Sequence, residues 1–256
     1  MSPPRFTCEA QVPTLPGGRS VRNRIRVALA EHSHKSSAPD GTLTWVGPFA
    51  VFVLWLAIDK YIPIANPAKE VLRDAVLVAA ILYFSRSVLP TRAPHWVSSI
   101  ALGLAVFAIW VAPDALVPGW REHALFQNAI TGHITTSIAP RELTPLVLVL
   151  RTMRAVLLVP VIEELFWRGW LARWIQNNSF SKIPLGQYTR YAFWITAVLF
   201  AAEHGPFWEV GLIAGIIYNW WMRRTRSLGD LVLAHAVTNL ALSLYVIGTE
   251  SWMFWM

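Results

Sequence analysis

The amino-acid sequence predicts an all-α fold, a polytopic membrane helix bundle of about seven transmembrane helices. It becomes eight helical elements if the fourth segment is broken. Three observations carry this expectation. Of 256 residues, 55% are hydrophobic and only 14% charged, where soluble domains carry about 25% charged residues. The mean hydropathy is +0.43. Fourteen Trp and seventeen Pro are present; Trp gathers at membrane interfaces, and Pro is tolerated in spanning helices.

Residues 1–40 read as a disordered basic cytoplasmic tail, rich in Pro, Gly and Ser and carrying Arg5, Arg19, Arg22, Arg24, Arg26 and Lys35. They hold no long apolar core of the kind a secretory signal needs. A basic helix around Val21–Ala30 that touches the membrane is the alternative. Cys8 is the lone cysteine, so an internal disulfide and a Cys-built metal site are both excluded. The net charge of +7 fits loops that face anionic lipid. No basic face with interleaved aromatics stands apart from the apolar segments, which speaks against nucleic-acid binding.

Apolar windows then recur in order. Leu43–Ile64, Val71–Leu89 and Trp96–Val117 make an N-terminal set of transmembrane helices within residues 41–140. Leu143–Trp174, Tyr191–Glu203, Trp208–Met222 and Leu228–Ile247 fall within residues 141–250. A span needs about 20 apolar residues, so the fourth window is too long for one straight helix and the fifth and sixth are short. Arg151 and Arg154 interrupt the fourth, which points to two helices, the first at the interface. With the tail inside, the loops Arg86–Arg92, Arg173–Arg190 and Arg223–Arg226 all fall on the same side. This positive-inside pattern predicts a cytoplasmic N-terminus.

The polar residues within these windows carry the functional signal. Glu163, Glu164 and Arg168 lie in the fourth window, where each ionised side chain costs roughly 2.5–3.5 kcal/mol on insertion scales. Glu164 and Arg168 are four apart and can pair on one helix face, while Glu163 points about 100° away. His235 and Asn239 share a face of the seventh window, as do Phe200 and His204 at the end of the fifth. Counted from the nearest basic loop, Glu163 and His235 lie about 15 and 14 Å deep. His204 would lie about 21 Å deep on an upright helix, so it joins them only if that helix starts late or tilts. Taken singly, a buried His or Asn is ordinary interhelical glue.

Together, a carboxylate, two imidazoles and an amide can activate water by two routes. One uses a divalent metal, Zn2+ foremost, on His204 and His235 with Glu163. In the other, Glu163 is the base and His and Asn donate to an oxyanion. Either route is hydrolysis. The spacing lacks the His-Glu-x-x-His pattern of soluble zinc proteases.

These residues resemble a known family. Glu-Glu-x-x-x-Arg (Glu163, Glu164, Arg168), Phe-x-x-x-His (Phe200, His204) and His-x-x-x-Asn (His235, Asn239) are similar, in order, to the three motifs of the CAAX-protease and bacteriocin-processing membrane proteins (CPBP, or ABI, family). The resemblance covers about residues 140–247. It implies a CAAX-protease-like intramembrane (metallo)endopeptidase that cuts near the C-terminus of a protein or peptide substrate, with residues 141–250 as the catalytic bundle. It also implies Glu163 as the water-activating base, with His204, His235 and Asn239 completing the site and Glu164, Arg168 and Phe200 supporting it. The stretch Val-Pro-Val-Ile-Glu-Glu-Leu-Phe-Trp-Arg-Gly with Trp170 is also similar to bacterial CAAX-protease-related proteins of exosortase protein-sorting systems. That narrower likeness implies a bacterial-type inner membrane, lipids and sorting machinery as partners, and substrates that are not prenylated.

Two other classes compete. A membrane scaffold or immunity protein of the same fold would keep the bundle and act by binding. A proton-coupled transporter would use Glu and His as relay groups. The transporter is disfavoured because no inverted pair of Gly- or Pro-broken spans is evident.

Overall fold

The computed structural model describes residues 41–134 and 143–255; the tail at residues 1–40 lies outside them. Seven helices and no strands are found among the described residues. They are α1 (Thr42–Ile58), α2 (Ala68–Ala80, extended by a π turn at Ile81–Ser85), α3 (Trp96–Leu116), α4 (Pro145–Trp174), α5 (Arg190–Ala202), α6 (Trp208–Thr225) and α7 (Leu228–Thr249). Each corresponds to one apolar window of the sequence. Four of them, α1 (with its 3-10 extension to Tyr61), α3, α4 and α7, are long and apolar enough to cross a membrane. The others fall short for visible reasons. α2 carries Lys69, Glu70, Arg73 and Asp74, α5 has 13 residues, and α6 carries Glu209, Arg223 and Arg224.

The expected break in the fourth window does not occur. α4 runs continuously for 30 residues, about 45 Å. Its arginines are accommodated by partners. Arg154 lies 2.6 Å from Glu70 and 2.7 Å from Asp74, both on α2. Asp59, at the end of α1, pairs with Lys69 at 3.2 Å and with Arg73. The helix yields instead through two π-helical turns, Arg154–Leu158 and Leu165–Leu171. The first precedes Pro160, which has no N–H for the turn before it and whose ring crowds a carbonyl there.

Close helix contacts are made where side chains are absent or small. α3 and α7 touch at Gly103, where a Cβ would stand 2.4 Å from the Ala234 carbonyl. Thr238 Oγ1 of α7 sits 2.9 Å from the Gly103 carbonyl and accepts from Tyr218 of α6 at 2.8 Å. α1 meets α4 through Phe49 stacked on Phe166, ring centroids 3.9 Å apart, and through Trp45 lying over Gly169.

The two ends of the bundle are fastened differently. At the end carrying Arg173, Arg190 and Arg223, the fully buried Asp230 of α7 accepts from the His95 backbone at 2.8 Å and meets its ring at 2.9 Å, ahead of α3. At the opposite end, Arg121 in the loop after α3 is buried. It pairs with Asp114 and Glu209, each at 2.6 Å, donates to the Pro206 carbonyl at 2.6 Å, and lies over the Phe207 and Phe126 rings. This clamp holds the turn Gly205–Phe207 between α5 and α6.

The α3–α7 contact makes a direct prediction. Gly103→Ala adds a methyl where the backbone is already in contact, and overpacking of this kind costs about 1–3 kcal/mol. The melting temperature in detergent should fall. Gly248→Ala, whose methyl meets nothing within 4 Å, should leave it unchanged or raise it. Equal melting temperatures for the two variants would contradict the packing described.

Candidate active site

Glu164 and Arg168 form the buried base of the site. Arg168 Nη1 stands 3.0 Å from both Glu164 oxygens, its Nε donates to Asn219 Oδ1 at 2.8 Å, and Nη2 reaches the Gly215 carbonyl at 3.4 Å. The guanidinium lies over the Phe200 ring, 4.6 Å from its centroid. The sequence expectation of an i,i+4 pair is met. Glu164 does more than brace its own helix, because Oε1 also receives His235 Nδ1 at 2.8 Å. One carboxylate thereby connects α4 to α7, and through Arg168 to α6.

That bond fixes the imidazole. A carboxylate that already accepts from Arg168 can only accept, so Nδ1 of His235 carries the proton and Nε2 faces the other way. There it meets Glu163 Oε2 at 4.0 Å. Glu163 is 7% exposed, and Oε2 is buried without a hydrogen-bond partner. Such an atom costs free energy unless the site uses it.

His204 reaches the same space by a route the sequence leaves open. α5 stops after 13 residues, and Gly205, with φ +52°, turns the chain directly into α6. α5 begins at Arg190 with no late start, and His204 lies beyond its end in the clamped turn, where it lines the same cavity as Glu163. Nδ1 donates to the Phe200 carbonyl at 2.6 Å, and the ring packs edge-on to Trp110 of α3 at 5.1 Å. Gly211 lies alongside, where a Cβ would stand 3.2 Å from that of His204. Asn239 donates to the Ala155 carbonyl at 2.8 Å, in the π turn before Pro160.

Glu163, His204, His235 and Asn239 line one cavity of about 280 Å³, with Phe200 in its wall. Glu164 and Arg168 lie behind His235 and Phe200, where they hold these side chains. The sequence reading missed six contributors. Trp110 of α3 and Phe254 and Trp255 beyond α7 also line the cavity. Trp167 donates to Glu203 at 3.0 Å beside the site. Asn219 and Glu203 are polar residues within or at the edge of apolar windows, so the rule that singled out Glu163 would have found them.

The donor chemistry for a metal is present in part. Both imidazoles have Nδ1 engaged and Nε2 turned away, the arrangement in which histidine ligates metals. Their positions do not form a chelate. Among the described residues no group of three His, Cys, Asp or Glu converges closely enough to hold an ion. The expected set of His204, His235 and Glu163 is therefore not assembled around one point.

Comparison with known proteins identifies the region that holds this cavity. Residues 145–241 match the family model described as type II CAAX prenyl endopeptidase Rce1-like. No curated protein and no solved structure matches the chain. The matched segment begins with α4 and ends just past Asn239, so it contains all three motif pairs and both buried glutamates. Residues 145–241 of this membrane helix bundle are thus similar to the Rce1-like type II CAAX prenyl endopeptidases.

Proposed function

We propose that the protein hydrolyses a peptide bond within the membrane, near the C-terminus of a protein or peptide substrate, with Glu163 as the general base. The observation that carries this reading is the single cavity in which the unpartnered Glu163 Oε2 faces His235 Nε2 at 4.0 Å, with His204 and Asn239 in the same wall.

Charge balance shapes the mechanism. In a medium of low dielectric, the buried groups Glu163, Glu164, Arg168 and His235 favour a form with no net charge. One such form has both glutamates ionised and His235 protonated on both nitrogens. It presents a base at Glu163 Oε2 and a donor at His235 Nε2. His204, with Nδ1 committed to a carbonyl, offers Nε2 as an acceptor that orients the attacking water. The water adds to the scissile carbonyl carbon as Glu163 takes its proton. His235 Nε2–H and the second N–H of Asn239 meet the oxyanion. Glu163 then passes its proton to the leaving nitrogen as the C–N bond breaks, which yields a carboxylic acid and an amine. No step is routed through a metal, because the three donors do not converge.

The reading also places the basic end of the bundle in the cytoplasm, since the loops after α2, α4 and α6 carry the excess of Arg and Lys.

Five outcomes test these statements. With quenched-fluorescent apolar peptides and purified protein, Glu163→Gln should lower kcat by about 10²–10⁴, the usual worth of a general base. Asn239→Ala should lower it by about 10²–10³, the worth of an oxyanion donor. Activity should persist under chelation; loss on chelation and restoration by one metal would overturn the metal-free route. Glu164→Gln tests a positioning role. It should lower kcat by about 10–100-fold with KM little changed, as for residues that orient a working imidazole. A rise in KM alone would assign Glu164 to structure or binding. In a Cys8→Ser background, Arg224→Cys should react with impermeant maleimide only from the cytoplasmic side, and labelling from outside would reverse the orientation.

A further inference from the structure

The chain does not leave the bundle where α7 ends. Glu250 adopts a left-handed conformation, φ +57°, and a short 3-10 turn at Trp252–Phe254 runs back toward the cavity. Phe254 packs against Phe207, centroids 5.3 Å apart, and against Tyr245 at 6.0 Å. The Trp255 carbonyl accepts from Arg151 Nη2 at 3.3 Å, and the Arg151 guanidinium lies over the Trp255 ring at 5.3 Å. Both aromatic residues line the cavity that holds Glu163, His204, His235 and Asn239. A stretch of this chain's own peptide is therefore seated there, a ring in an aromatic slot and a carbonyl on an arginine.

The size of the cavity makes this contact consequential. About 280 Å³ remains beside these residues, just below the roughly 300–1,000 Å³ of sites for small ligands. An extended peptide with its side chains needs more. The space it would take is where Phe254 and Trp255 lie. Trp252 to Trp255 are all half-buried, less covered than the helices of the core. Arg151 has a second hold on the bundle through Glu70, 3.9 Å away, so it stays in place when the peptide on it changes.

We propose that Trp252–Trp255 is a displaceable strap occupying a peptide subsite at the mouth of the cavity. An incoming peptide replaces it, placing a bulky apolar side chain between Phe207 and Tyr245 and a backbone carbonyl on Arg151. The identity of the displacing peptide rests on the peptidase reading above; the strap and its subsite do not.

The test reads access to the cavity and needs no turnover. Ser243 is buried and lines the cavity. In the full chain carrying Cys8→Ser, Ser243→Cys should react slowly with N-ethylmaleimide. Adding Phe254→Ala and Trp255→Ala should speed labelling roughly tenfold, as expected when a segment closed about nine-tenths of the time is released. The synthetic peptide Ser-Trp-Met-Phe-Trp should slow it again, and Arg151→Gln should weaken that protection. A chain ended after Ser251 serves as the second open form if the double variant loses its melting transition. Equal labelling rates in closed and open forms, or no protection by the peptide, would overturn the strap. Faster labelling without any peptide hydrolysis would keep the strap and overturn the peptidase reading instead.

Discussion

In a medium that cannot solvate charge, the guanidinium of Arg168 is stable only where every donor finds an acceptor and its charge is balanced. Glu164 supplies the balance from one turn away on α4, Asn219 and the Gly215 carbonyl supply acceptors from α6, and the faces of Phe200 and Tyr218 close the remaining sides. Removing one partner of a buried pair costs about 3–5 kcal/mol, because the other charge is left alone. The pair is thus a fixed point for three helices. His235 takes its orientation from this point through Glu164, which sets which ring nitrogen faces the cavity and what lies opposite Glu163. The geometry of the site follows from how one arginine is buried.

A second constraint acts from the other end of the bundle. α5 is too short to cross a bilayer, at about 20 Å, yet it carries His204 at its end. The turn that follows would expose backbone groups at depth unless protein covered it. Arg121 and its loop provide that cover, with the Pro206 carbonyl accepting from the buried guanidinium. The N-terminal helices therefore contribute to the site as well as to its anchoring: α3 brings Trp110 against His204, and the loop after α3 holds the turn that positions it.

Much of this was legible in the residues because lipid makes polar side chains conspicuous. The seven apolar windows correspond to seven helices, and Glu163, His235 and Asn239 stood out as costly residues at matching depth. What escaped has specific causes. Arg151 and Arg154 looked like a break because their partners, Glu70 and Asp74, lie some eighty residues earlier on another helix. Straight-helix arithmetic could not place His204, since it lies beyond the end of α5, in the turn that leads to α6. The bridge from Glu164 to His235 is a tertiary contact between side chains 71 positions apart, and no local spacing encodes it. Phe254 and Trp255 lie beyond the last apolar window, and only the reversal at Glu250 carries them to the cavity.

The central claim is that Glu163 acts on water and not on the peptide carbonyl. A single turnover in oxygen-18 water, followed by mass spectrometry of both product and protein, addresses it most directly. The account predicts one labelled oxygen in the new carboxyl group of the product and none in the peptide that contains Glu163. Label on Glu163 with unlabelled product would mean that the glutamate attacks as a nucleophile, and would contradict the mechanism built on its position opposite His235.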